Sequence, residues 1–89
     1  MNTYTLDEVK CHKSKDDCWI IVKDGIYDLT EFLSIHPGGS GIIMSVAGQN
    51  ATEYFVELHR PEILEEIGDD YLIGHLTNEL GAIKYISRL

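Results

Sequence analysis

The sequence predicts an α+β domain, and three observations carry the prediction. An apolar, β-branched and aromatic run, Cys18 to Val22, is followed by a Lys23-Asp24-Gly25 turn and a short returning segment, Ile26 to Asp28. Several short helix-like stretches come next, punctuated by Gly, Pro and Asn. A final strand-like segment, Tyr71 to Gly74, closes the series. Strands first, helices next and a strand last is not a βαβ repeat. With 89 residues there is room for one domain and a modest core.

Each element has its own signal. Thr5-Leu6-Asp7-Glu8 has the form of a capping box, which predicts a helix from Leu6 to about Cys11. Thr30 is placed to cap a helical turn running through Leu33. His36-Pro37-Gly38-Gly39 interrupts the chain, because proline disfavours helix at the residue before it. A helix is expected from about Ser40 to Ala47, ended by Gly48. Asn50, with Glu53 three positions on, predicts the next helix, to about Leu58. Pro61 suits the start of another, to about Ile67, stopped by Gly68. The stretch 77–89 has weak periodicity and reads as a C-terminal tail behind a domain spanning 1–76.

Charge excludes some partners. Seven basic against fifteen acidic residues give −8, which disfavours nucleic acid and anionic membranes and favours a basic protein partner. No apolar run reaches the length of a membrane span, and the first residues lack the pattern of a signal peptide. The expectation is a soluble, cytoplasmic monomer. Cys11 and Cys18 are too few for an iron–sulfur or structural zinc site. The expectation is two reduced cysteines, Cys18 in the core, with a disulfide left open.

Of four histidines, His12 and His75 are expected at the surface. His36 and His59 each end a helical stretch beside a chain break, and the helix–turn–helix between them returns the chain toward its start. Phe32, Leu33, Ile42, Ile43, Val46, Phe55 and Leu58 lie between the two histidines or just before the first. That is more apolar surface than two short helices need to cover each other. Gly38, Gly39 and Gly41 allow a flat ligand to approach the backbone. A flat, apolar, metal-centred ligand with two nitrogen donors is haem. Spacing alone leaves this open beside the ordinary alternative, two capping or core histidines.

The chain also resembles a cytochrome b5 domain over Tyr4 to Leu76. The matching residues are Tyr4-Thr5-Leu6-Asp7-Glu8-Val9, Asp17-Cys18-Trp19, Gly25 through Leu33, His36-Pro37-Gly38-Gly39, Ala47-Gly48, Ala51-Thr52-Glu53 with Phe55, His59, and Tyr71-Leu72-Ile73-Gly74. The resemblance implies a small mixed β-sheet base with two helical hairpins forming a haem cleft. It implies one noncovalent b-type haem per chain, with His36 and His59 as axial ligands. The pocket would be lined by Phe32, Leu33, Pro37, Gly38, Gly39, Ile42, Ile43, Val46, Phe55, Leu58 and Tyr71, with Trp19 and Ile21 in a second core beneath. The implied activity is one-electron transfer between a reductase and an acceptor protein, oxidase or desaturase.

The chain departs from the microsomal pattern in two places. His59 follows His36 by 23 positions, one fewer than in microsomal members, and Leu58-His59-Arg60-Pro61 looks more like domains fused to flavin or molybdenum enzymes. Ser40, Gly41 and Ser45 stand where microsomal members carry acidic residues, so the docking face is expected elsewhere. Whether the domain is free-standing or part of a larger oxidoreductase is open. A free-standing enzyme has little support, since Gly-x-Ser-x-Gly, phosphate-loop and His-Glu-x-x-His motifs are missing. A haem-binding or interaction module without electron transfer is the remaining alternative.

Overall fold

The computed structural model describes residues 2–35, 40–58, 62, 68 and 70–77. Along the chain these form β1 (Asn2–Tyr4), α1 (Leu6–Lys10), β2 (Lys13–Ser14), β3 (Asp17–Val22), β4 (Gly25–Asp28), a 3-10 turn (Glu31–Ser34), α2 (Ser40–Met44), α3 (Thr52–Leu58) and β5 (Leu72–Leu76). The strands make one five-stranded sheet in the order β1-β5-β4-β3-β2. β1 and β5 run parallel and the other neighbours antiparallel. The fold is α+β with a mixed sheet, as the sequence predicts.

The expected capping box opens α1. The Glu8 N–H donates to Thr5 Oγ1 at 3.0 Å, and the Thr5 N–H donates back to Glu8 Oε1 at 3.3 Å. β3 and β4 form the predicted hairpin, but Gly25 is its first returning residue, paired with Val22. The turn is therefore Lys23-Asp24, with Lys23 at a φ of 59°. The helix expected through Ala47 ends at Met44 and continues as turns to Gly48, whose φ of +72° requires glycine. The last strand starts at Leu72, one residue later than expected, and Tyr71 ends a helical segment. Of the helix predicted from Pro61 to Ile67 only Glu62 is described, and it is helical; the rest of that stretch and the tail from 78 onward lie outside the described residues.

From Cys18 onward β3 is apolar because both its faces are covered. Its alternate side chains divide the interior in two. Cys18, Ile20 and Val22 join Tyr27, Leu29, Leu33, Ile43, Ala47 and Ala51 on the face that carries the helices. Ile21 joins Val9 and Ile26 on the opposite face, flanked by Trp19, Tyr4, Leu6, Ile73 and Leu76. This is the second core expected around Trp19 and Ile21. Gly74 allows β1 to pair with β5, since a Cβ there would collide with the Asn2 carbonyl oxygen and the Tyr4 ring.

Candidate functional site

The helix-bearing face has a sealed floor and an open wall. Leu33 and Ile43 belong to the floor, with 7% and 6% of their surfaces exposed. Phe32, Val46, Phe55 and Tyr71 pack against that floor but stay only partly buried, and Ile42 is 40% exposed. The Phe32 and Tyr71 rings meet at a tilt, their centroids 5.2 Å apart. The sequence reading thus names residues that do come together, but it does not separate floor from wall. It also misses Met44 and Leu72, which pack against the same cluster. Leu72 is the first residue of β5 and Met44 the neighbour of Ile43, and neither position has a distinctive local signal.

Four chain segments deliver this surface, with Val46 in the turn after α2 and Tyr71 just ahead of β5. The 3-10 turn carries Phe32 and Leu33 and ends with Ile35 as its C-cap. α2 carries Ile42 and Ile43, and α3 carries Phe55. His36 directly follows Ile35 in sequence, and His59 directly follows Leu58. His36, Pro37, Gly38, Gly39, His59 and the side chain of Leu58 lie outside the described residues.

Thr30 does not cap the 3-10 turn by its side chain, contrary to expectation. Its hydroxyl is engaged instead with Asp28 and with the backbone of Cys18. Cys18 is in the core as expected, and both cysteines are free thiols. Burial, then the nearby Asp28 and Asp17 carboxylates, push the Cys18 thiol up. Burial, then Asp24, does the same to the Tyr27 hydroxyl.

The other two histidines are less exposed than expected. His12 stacks on Trp19 with ring centroids 3.5 Å apart, and its Nδ1 lies 2.7 Å from Asp17 Oδ1. An aromatic neighbour and a carboxylate drew it onto the sheet. His75 is half-buried in β5, and its Nδ1 is buried without a hydrogen-bond partner among the described residues. Among the described residues no helix is long and apolar enough to cross a membrane.

The open apolar wall lies on segments that lead in sequence to two histidines, His36 and His59. Residues 5–77 match the family described as the Cytochrome b5-like Heme/Steroid binding domain. The chain belongs to this family. A cytochrome b5 from Oryza sativa subsp. japonica is 38% identical over 73 residues, covering 82% of this chain and 53% of its own length. Nitrate reductase [NADH] 2 of Arabidopsis thaliana is 48% identical over 80 residues, 85% of this chain but 9% of that enzyme. The chain thus spans about half the length of that cytochrome b5 and a small part of the nitrate reductase.

Solved structures agree on the fold of this cytochrome b5-like domain. Cytochrome b5 of Ostreococcus tauri virus 2 superposes with a TM-score of 0.77 at 42% identity, covering 82% of this chain and 94% of that one. Ectothiorhodospira vacuolata cytochrome b558, a prokaryotic homologue of cytochrome b5, gives 0.74 at 34% identity, covering 85% and 99%.

Proposed function

We propose that the chain is a one-electron carrier holding one noncovalent b-type haem, with His36 and His59 as axial ligands. The observation that carries this is the partly buried wall of Phe32, Val46, Phe55 and Tyr71, on segments that run in sequence directly into those histidines or lie across from them. Its residue types suit a flat apolar ring, which would add cover to side chains that the protein leaves half-exposed. Phe32, Leu33, Ile42, Ile43, Val46, Phe55, Leu58 and Tyr71 would line the pocket. Pro37, Gly38 and Gly39 would bring backbone close to the ring.

Bound haem supplies a reversible one-electron change at iron. The residues do the rest. His36 and His59 would hold the iron between them and leave no place for oxygen or peroxide, which would favour transfer over catalysis. The remaining ring nitrogen of each can donate to a nearby acceptor and so fix the ring's orientation. The apolar wall excludes water and helps set the potential. Electrons would pass from a reductase to an acceptor protein or to an oxidoreductase, and basic docking surfaces fit the net charge of −8. Residues 1–76 would form the haem domain and 77–89 a tail. The proposed setting is a soluble monomer in the cytoplasm.

The test is the visible spectrum of the purified chain loaded with haem. A six-coordinate, low-spin spectrum in both oxidation states is expected, and acid–acetone should extract the colour. His36→Ala and His59→Ala should each give high-spin character or haem loss, whereas His12→Ala and His75→Ala should not. A chain that takes up a steroid but no haem, or a spectrum indifferent to His59, would refute the assignment.

A further inference from the structure

Two segments enter the open face through the same hydrogen-bond arrangement. In the first, Asp28 Oδ1 accepts from the Thr30 N–H at 3.1 Å and from the Thr30 hydroxyl at 2.6 Å. The Thr30 oxygen in turn accepts from the Cys18 N–H at 2.9 Å. In the second, Asn50 Oδ1 accepts from the Thr52 N–H at 3.0 Å and from the Thr52 hydroxyl at 2.5 Å. The Thr52 oxygen accepts from the Lys23 N–H at 2.7 Å.

The residue between each pair repeats the pattern. Leu29 and Ala51 are each 3% exposed. Both donate their N–H to a carbonyl of β3, Leu29 to Cys18 at 2.8 Å and Ala51 to Ile21 at 2.7 Å. Both accept from the first turn of the helical segment that follows, from the Leu33 N–H at 3.1 Å and the Phe55 N–H at 2.8 Å.

We infer that Thr30 and Thr52 are positioning residues, each clamping one histidine-bearing segment to one end of β3, so that a single strand sets how His36 and His59 stand relative to each other. The inference rests on the function proposed above. Each threonine hydroxyl has one proton, already given to the Asp28 or Asn50 oxygen, so its lone pairs are aimed at the strand. The anchored amides are five residues apart, about 16 Å along an extended chain. The strand between them is stiffened on both faces, with Cys18 and Ile21 at 0% exposure. His36 lies six positions after Thr30 and His59 seven positions after Thr52, so an error at either clamp is carried forward through one short helical segment.

The two clamps differ in exposure. The Cys18–Thr30 bond is part-buried, whereas the Lys23–Thr52 bond is exposed and water can replace it. Thr30→Val, similar in shape but without the hydroxyl, should therefore speed haem transfer to an acceptor globin about tenfold, and Thr52→Val about threefold. Both should alter the anisotropy of the ferric low-spin electron paramagnetic resonance signal, which reports ligand orientation. Thr30→Ser and Thr52→Ser should restore it. Hydrogen exchange on the full chain should quicken at Cys18 and Leu33 in the first variant and at Lys23 and Phe55 in the second. Because its clamp is exposed, Thr52→Val is the variant expected to keep the fold. A wild-type chain without a low-spin signal would overturn the proposed function. A normal wild-type signal that neither valine variant changes would overturn this inference alone.

Discussion

The two faces of the sheet are built from the same strand but finished differently. On the α1 side Val9, Ile21 and Ile26 are all at 0% exposure, with partly buried Trp19, Tyr4, Leu6, Ile73 and Leu76 packed against them. On the helix side Phe32, Val46, Phe55 and Tyr71 are likewise partly buried, and among the described residues the large exposed apolar side chains, Ile35, Ile42, Tyr54 and Val56, are all carried by the end of the 3-10 turn, α2 and α3. Large apolar side chains left half-covered contribute less to folding than buried ones, and gain when a ligand covers them. Under the proposed function one face serves stability and the other would serve binding, and β3 joins them residue by residue.

Substitution should separate the faces most sharply. Ile21→Ala removes a fully buried side chain from the sealed face and should lower stability by about 2–5 kcal/mol. Phe55→Ala removes a ring that is only partly buried, so the loss in the haem-free chain should be about 1–2 kcal/mol, below the value for a fully buried phenylalanine. Haem retention should fall in the opposite order once stability is matched with denaturant. Urea unfolding and haem-transfer rates on both variants decide the matter. Equal haem loss at equal stability would mean that the faces are not distinct in function.

The sealed face was more legible in the sequence than the open one. Thr5 and Glu8 announce α1, and Cys18 to Val22 announces a strand buried on both sides. β1 and β2 gave no such signal. They span three and two residues, and β1 exists because β5, far along the chain, offers it an edge. Thr30 looked like a cap because its position before a helical turn is that of a cap. Only tertiary structure shows that its oxygen is taken by the Cys18 N–H. His36 and His59 stand out in the sequence through motif and order but lie outside the described residues, whereas His12 and His75 were misplaced because a stacked Trp19 and a sheet register are not local features.

Alkaline pH should sharpen the contrast by a smaller amount. Cys18 and Tyr27 both belong to the helix-side core, and burial is the first cause of the raised value at each. In the unfolded chain the thiol ionises at its ordinary value of 9.0, while the folded protein still holds the proton. Its contribution is thus fully present below that pH and is lost as pH rises through it toward the folded value. The slope from one such group is at most about 1.4 kcal/mol per pH unit. Tyr27 adds a loss of the same sign above 10.0. Urea unfolding of the wild type and of Cys18→Ala between about pH 8 and pH 10 should show a shallower decline in the variant. Parallel curves would remove Cys18 as the cause.

The smallest effect should be found at the rim, in encounter with a redox partner. Ser40, Gly41 and Ser45 leave α2 and the turn after it without acidic charge. α3, which lies on the open face, carries exposed Glu53 and Glu57 and no basic residue in its last turn. Asp7 and Asp16 are also exposed, but Asp7 lies on α1, which packs on the sealed side, and Asp16 in the turn before β3. Asp17 is unsuitable as a comparison because it holds His12. Opposite charges hasten association, and salt screens them over about 8–10 Å at physiological ionic strength. Reduction of a basic acceptor cytochrome should therefore slow as salt rises. Glu53→Gln with Glu57→Gln should slow it a few-fold at low salt, more than Asp7→Asn with Asp16→Asn, and the two variants should converge at high salt. Rim charges act on encounter, so the transfer rate within the complex should hold steady in both. Stopped-flow measurements across a salt series read both quantities. A larger effect from Asp7 and Asp16 would place docking on the sealed side and break the division of labour between the faces.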